Sequence, residues 1–160
     1  MNPLQPLQTL LAQSERERDL ALAETLRAAD AHRRAVAQAE QLRDYRRDHD
    51  ARFGARSAGG GMEIVQCWQA FDARLGQAIE QQDRAVALAA QRGERAAAAL
   101  RPLELRVASV KKLMERRGGE ARRADDRRDQ KLLDEQTARA AWNRLANAAG
   151  AATPGQPSAG

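Results

Sequence analysis

The chain has 160 residues, of which 31% are charged and only 3% are aromatic. Alanine dominates the 42% that are hydrophobic, so the bulky apolar mass needed for the rounded core of a globular enzyme is missing. The charges are mixed in sign along the chain, which is typical of solvated helix faces and not of a disordered tail.

The first predicted element is a helix over about residues 4–55. It begins close to Pro3 or Pro6, because proline is tolerated in the first turn of a helix. Its apolar stripe shifts by four residues at several points, and these stutters favour an irregular pairing over a regular leucine zipper. The residues of that stripe are Leu4, Leu7, Leu11, Leu22, Leu26, Ala29, Val36, Ala39, Leu42 and Tyr45.

A strong break follows at residues 57–61, which read Ser-Ala-Gly-Gly-Gly. Two long helices joined by one such turn can bury apolar surface only against each other. We therefore expect an all-α fold, a long antiparallel two-helix coiled-coil hairpin with an overhanging C-terminal helix and a disordered tail.

The second predicted helix covers about residues 62–146, and its apolar stripe contains one stutter before Ile79. Pro102 should kink this helix at a cost of about 3 kcal/mol, and Gly118-Gly119 should weaken it by about 1 kcal/mol per glycine. Residues 1–147 are predicted to form one coiled-coil domain, and residues 148–160 a disordered tail. The stripe consists of Ile64, Trp68, Phe71, Leu75, Ile79, Gln82, Val86, Ala89, Leu100, Leu103, Val107, Val110 and Met114, with Ala121, Ala124, Ala138, Trp142 and Leu145 in phase.

The register of the hairpin follows from the turn. If the turn is centred on Gly60, residues that face each other have numbers adding up to about 120. Eight side chains with matched spacing then form one band near the turn, either the best-packed part of the seam or an exposed patch for a partner. They are Gln38, Leu42, Tyr45, His49, Phe71, Leu75, Ala78 and Gln82.

Residues beyond about 119 have no partner on the first helix in this register. Residues 120–147 should project as a single helix about 40 Å long, which is poorly stable alone and suggests that another protein covers it. The positive charge is concentrated nearby, with 11 basic and 6 acidic residues between 101 and 131. This charge suits an acidic protein, a phosphate backbone or an anionic membrane, and does not choose among them.

No catalytic or metal site is apparent. His32 and His49 are too far apart on one helix to share a metal, and Cys67 is the only cysteine. The glycines at 59–61 are not followed by a residue that could bind nucleotide phosphate. We expect no enzymatic activity and no cofactor. Nucleic acid is a weak candidate ligand, because acidic residues interleave with the arginines and no aromatic side chains alternate with them.

Three motifs are more specific than composition. Tyr45-Arg46 is followed by His49, and Phe71-x-x-x-Leu75 is followed by Ala78-Ile79-x-x-Gln82. The third is Lys112-Leu113-Met114-Glu115-Arg116-Arg117 followed by Arg128-Asp129-Gln130-Lys131-x-x-Asp134-Glu135-x-x-Ala138. From Leu4 to about Trp142 the chain resembles the flagellar export protein FliJ family. It departs from the family pattern at His49, where tyrosine is more usual, at Asp129, where glutamate is usual, at Pro102 and at Gly118-Gly119.

The resemblance implies an antiparallel coiled coil, similar to the central stalk of rotary ATPases, that inserts into the hexameric ring of the flagellar export ATPase (FliI). It also implies contact with the export gate protein FlhA through the band of eight residues, and a role in handling export chaperones. The chain would couple the ATPase to the gate during flagellum assembly and motility, in the cytoplasm at the inner face of the cell membrane. The implied ATPase-binding residues are Lys112, Leu113, Arg116, Arg117, Arg127, Arg128, Gln130, Lys131, Asp134, Glu135 and Trp142.

Two alternatives share the architecture. One is the equivalent stalk of a virulence-type secretion injectisome, and the other is a generic basic coiled-coil scaffold.

A membrane-spanning helix is not expected, because no stretch of the sequence approaches the roughly 18 to 20 apolar residues that such a helix needs.

Overall fold

A computed structural model describes residues 4–56 and 59–152 of the chain. These residues form two helices, α1 (Gln5–Arg56) and α2 (Met62–Ala151). The helices pack against each other in antiparallel directions, since Glu17 on α1 pairs with Arg106 on α2 while Arg46 pairs with Asp72. The predicted all-α coiled-coil hairpin is confirmed.

The end of α1 and the start of α2 lie close to the predicted positions. After α1 ends, the amide of Gly59 donates to the carbonyl of Arg56 at 3.4 Å. The carbonyl of Gly61 accepts from the amides of Ile64 and Val65 at 3.1 and 3.4 Å, which begins α2. Residues 57 and 58 of the predicted turn lie outside the described residues.

Helix α2 runs through the two places where we expected disturbance. It continues through Pro102 and through Gly118-Gly119 without ending. It also runs to Ala151, four residues into the segment predicted as tail, because alanine is the strongest helix former and supplies most of residues 148–151. Residues 153–160 of the predicted tail lie outside the described residues.

The chain divides into two compact units. The hairpin unit comprises Leu7–Val110, and the terminal unit comprises Met1–Pro6 together with Lys111–Gly160. The hairpin unit contains the packed seam between α1 and α2, and the terminal unit contains the last part of α2.

In the hairpin unit, the α1 side of the seam repeats every seven residues without interruption. The stutters predicted for α1 are therefore wrong, and Leu22 and Leu26, predicted in the stripe, are 40% and 62% exposed. Our prediction followed the large leucines, whereas small and polar side chains occupy many of the seam positions. The seam positions, all of them buried or half-buried, are Leu7, Leu11, Ser14, Arg18, Ala21, Thr25, Ala28, His32, Ala35, Ala39, Leu42, Arg46, His49 and Phe53.

The α2 side of the seam is equally regular, and the stutter predicted before Ile79 is wrong as well. Ile64 and Phe71, predicted in the stripe, lie beside it and are 55% and 36% exposed. Val65 and Asp72 take the seam positions, and the predicted stripe from Leu100 to Val110 is confirmed. The seam positions are Val65, Trp68, Asp72, Leu75, Ile79, Gln82, Val86, Ala89, Gly93, Ala96, Leu100, Leu103, Val107 and Val110.

The core of this seam is thin. Among the described residues its buried apolar side chains are Ala39, Leu75, Leu100, Val107 and Val110. Ser14 is buried too, and its hydroxyl donates to the carbonyl of Leu10 at 2.8 Å, which satisfies the polar group inside the seam. Stability must therefore come from many small contacts along the two helices, because few large apolar side chains are buried in the described part of the chain.

The terminal unit is much more open. Between residues 111 and 152 only Met114, Gly118, Gly119 and Ala124 are half-buried, and every residue from 125 to 152 is exposed. The apolar positions predicted at Ala121, Ala138, Trp142 and Leu145 are thus solvent-facing. No helix in the described part of the chain is long and apolar enough to cross a membrane.

Candidate functional site

An aromatic cluster lies in the hairpin unit close to the turn. His49 is its centre, with its ring 4.5 Å from the ring of Phe71 and 6.3 Å from that of Trp68 between centroids. Phe53 stacks on Trp68 at 4.2 Å, and Tyr45 meets Phe71 edge to face at 6.2 Å. Aromatic pairs at these distances contribute about 0.5–1.5 kcal/mol beyond the apolar area they bury. We call these five residues the aromatic surface.

Farther from the turn, a hydrogen-bonded pair of glutamines joins α1 and α2. The side-chain amide of Gln82 donates to the carbonyl of Ala35 at 2.9 Å and to Oε1 of Gln38 at 3.2 Å. The pairs Gln38 with Gln82 and His49 with Phe71 both have residue numbers that add up to 120, so the predicted register is confirmed.

An ion pair crosses the seam beside the cluster. Arg46 donates from Nε and Nη2 to the two carboxylate oxygens of Asp72, at 3.0 and 3.1 Å. This bidentate hydrogen bond, with the charge of Asp72, raises the pKa of Arg46. Arg43 pairs with Asp83 in the next turn. These pairs fix the relative position of the two helices, so the aromatic rings are presented on a defined backbone.

The eight residues of the predicted band divide by exposure. Tyr45 is 55% exposed and Phe71 is 36% exposed, and Gln38 is exposed as well. Leu75 is only 8% exposed, and the other four are half-buried. Some residues of the band therefore pack in the seam between the helices, and others are exposed on the surface. The exposed aromatic residues, Tyr45 and Phe71, are the ones that a partner protein could contact.

We expect Leu75→Ala to destabilise the hairpin by about 2–3 kcal/mol, because it removes one of the few buried large side chains from the seam. Urea unfolding followed by circular dichroism at 222 nm measures this change. Phe71→Ala is the matched comparison and should cost clearly less, since that side chain is partly exposed. Equal losses in the two variants would show that Leu75 is not a core residue.

Two members of the aromatic surface were not among the candidate site residues. Phe53 and Trp68 stack on each other, and their numbers also fit the predicted register. Register alone could have found this pair. The ring nitrogens Nε2 of His49 and Nε1 of Trp68 are buried and make no hydrogen bond to the part of the chain that the structure describes. Such buried polar atoms cost free energy, so packing of the rings must outweigh that cost.

The second candidate surface lies in the terminal unit. All eleven residues proposed to bind the ATPase are exposed there, from Lys112 to Trp142. Arg128 forms an ion pair with Asp125 at 3.5 Å, between side chains that are 78% and 69% exposed. Pairs this exposed add little stability, so these charges remain available to another protein. We call residues 112–142 the basic surface.

An apolar stripe follows the basic residues at the end of α2. Trp142 and Leu145 are 73% and 68% exposed, and with Ala146 and Ala149 they line a shallow hollow of about 230 Å³. Their spacing of three to four residues places them on one face of the helix. A tryptophan this exposed beside arginines has the composition of a protein contact.

No metal-binding arrangement is present in residues 4–56 and 59–152, where no group of three histidine, cysteine or acidic side chains could hold an ion. The free thiol of Cys67 is exposed.

Comparison with known proteins decides the family. The family model described as flagellar FliJ protein matches residues 3–146, which is most of the chain. The chain belongs to the FliJ family. It is therefore a structural component of the flagellar type III protein export apparatus, as the sequence motifs indicated. No curated protein and no solved structure matches the chain significantly.

Proposed function

We propose that this FliJ-family chain is a non-enzymatic stalk that couples the export ATPase ring (FliI) to the export gate protein FlhA. The observation that carries the proposal is the presence of two chemically different exposed surfaces, one in each compact unit. The aromatic surface offers aromatic rings, and the basic surface offers arginines followed by an apolar stripe. Two different partners explain this difference better than one.

The basic surface is assigned to the ATPase. A helical segment exposed at every residue from 125 to 152 gains little from its own chain and would be stabilised inside a protein ring. Its arginines require acidic side chains on the ring, and Trp142 requires an apolar contact. The family's implied insertion into the ATPase hexamer agrees with these requirements.

The aromatic surface is assigned to the gate. Tyr45 and Phe71 are partly exposed but held in place, because Phe71 packs on His49 and Tyr45 packs on Phe71, so little conformational entropy is lost when a partner covers them. Rings held in this way are typical centres of protein interfaces. Through these two partners the chain would lie in the cytoplasm, peripheral to the cell membrane at the export apparatus, where it would also assist chaperones and their substrates.

The proposal is tested by adding the purified full chain to the cognate export ATPase. We expect faster ATP hydrolysis and a larger fraction of the ATPase in hexamers, because a stalk that binds the closed ring stabilises it. In a separate binding assay, the chain should also retain the cytoplasmic domain of the gate protein. Absence of any effect on the ATPase, together with absence of gate binding, would contradict the coupling role but leave the family membership intact.

A further inference from the structure

We propose that a groove in the middle of the hairpin unit binds an acidic amphipathic helix of another protein. The groove lies between α1 residues 24–34 and α2 residues 89–96 and has a volume of about 590 Å³. It uses none of the residues of the aromatic surface or the basic surface. The inference therefore does not rest on the proposed function. The groove would be a third binding surface, in addition to the aromatic surface and the basic surface.

The floor of the groove is made of alanine. Ala28, Ala89 and Ala96 come from the seam, and Ala31 lies beside it. Gly93, also in the seam, lies between the two α2 alanines in sequence. Side chains this small leave the surface open and allow the backbone of another helix to approach closely. Apolar side chains of a partner that cover this floor bury apolar surface, which is favourable, whereas charged side chains in the same place would not.

The walls of the groove are arginine. Arg27 and Arg34 come from α1, and Arg92 and Arg95 come from α2. The only acidic side chain that lines the groove is Glu24. Within residues 4–56 and 59–152, neither Arg92 nor Arg95 makes an ion pair, so the positive charge of that wall is not neutralised by the chain itself.

The ion pairs made by the arginines of the α1 wall do not neutralise the charge of that wall either. Arg27 pairs with Glu24 at 3.2 Å, but the two side chains are 71% and 65% exposed. Arg34 pairs with Asp30 at 3.1 Å, and Asp30 is shared with Arg33. Because exposed pairs of this kind are weak, a carboxylate from a partner can replace or extend them.

Floor and walls together specify the ligand. Residues 24–34 extend over about 15 Å, which is the length of roughly three helical turns. A helix that fits must present small or apolar side chains to the alanines and carboxylates to the arginines on both sides. Nucleic acid fits less well, because no aromatic side chain lines the groove for base stacking and the floor offers no polar group to a base.

The test uses a labelled synthetic helix with alanine and leucine on one face and glutamates flanking that face. A second peptide carries glutamine at every glutamate. We expect the acidic peptide to bind the full chain in a salt-dependent manner, measured by fluorescence anisotropy. The double variant Arg92→Glu with Arg95→Glu should weaken binding by about tenfold or more. The glutamine peptide should bind the unaltered chain clearly more weakly than the acidic one.

Two controls separate the groove from net charge and from folding. Arg84→Glu with Arg101→Glu changes the net charge equally, at exposed positions outside the groove, and should leave peptide binding within about twofold. Ala31→Trp fills the groove without changing charge at an exposed position, and should also weaken binding. Circular dichroism melts of all variants should match that of the unaltered chain.

Three results would overturn the proposal. One is an acidic peptide that does not bind at about 100 µM, and another is equal weakening by the groove pair and the control pair. The third is a DNA duplex that binds more tightly than the peptide and loses its affinity in Arg92→Glu with Arg95→Glu, which would make the groove a nucleic-acid site.

Discussion

Replacing Arg127, Arg128 and Lys131 together by glutamate is expected to lower stimulation of the export ATPase by at least about tenfold. All three side chains are exposed on the basic surface, so within the described residues the change removes only the weak, exposed ion pair of Arg128 with Asp125. Reversal turns attraction to an acidic partner into repulsion at three positions within about one helical turn, and like charges at an interface cost several kcal/mol. ATP hydrolysis measured against concentration of the added chain gives the size of the effect.

The matched control for this prediction reverses Arg16, Arg84 and Arg101. These residues are also exposed, make no ion pair within the described residues and lie in the hairpin unit. The control carries the same net charge as the test variant, so a general electrostatic effect would appear in both. If the control abolished stimulation as fully as the test variant, the ATPase contact would not lie on the basic surface.

The register of the hairpin could be read from the sequence, and the physical reason is simple. One strong turn fixes which residues of the two helices face each other, because both helices rise by the same 1.5 Å per residue. The contact of Gln82 with Gln38 and that of His49 with Phe71 follow directly. The family could also be predicted from motifs along the sequence, and the family match confirms the family.

The residues of the seam could not be predicted from the sequence as reliably as the register. We traced it through leucines, but Leu22 and Leu26 are exposed while Ala21, Thr25 and Ala28 occupy the seam. In an alanine-rich chain, apolar side chains occur on several faces of a helix, so hydrophobicity alone does not select one. What selects the face is the sum of contacts along the partner helix, including the ion pair of Arg46 with Asp72, which a hydrophobic pattern treats as an interruption.

The candidate surfaces were predicted to different extents for the same reason. Charged residues on the basic surface could be identified because exposure is the default for arginine and lysine. The groove was missed, since its floor of alanines has no signal of its own until the two helices bring Ala31, Ala89 and Ala96 to the lining of one groove. The stacking of Phe53 on Trp68 depends equally on the pairing of the helices.

Replacing Tyr45 and Phe71 together by alanine is expected to weaken binding to the gate protein by about 2–4 kcal/mol, roughly 30-fold to 1000-fold in affinity. The two rings touch each other edge to face and are the exposed part of the aromatic surface. Their removal leaves the buried Leu75 and the ion pair of Arg46 with Asp72 in place, so the hairpin should remain folded. Isothermal titration calorimetry with the cytoplasmic domain of the gate protein measures the change.

The control for this second prediction is Leu20→Ala with Leu88→Ala, which truncates two exposed large side chains outside the aromatic surface. It should bind the gate protein as the unaltered chain does. Stimulation of the ATPase should be unchanged in both double variants, because the basic surface lies in the other compact unit. A Tyr45 and Phe71 variant that lost gate binding and ATPase stimulation together, with a lower melting temperature, would instead show that the rings hold the hairpin together. Since the two contacts draw on different residues, separate losses are the outcome that coupling by a stalk requires.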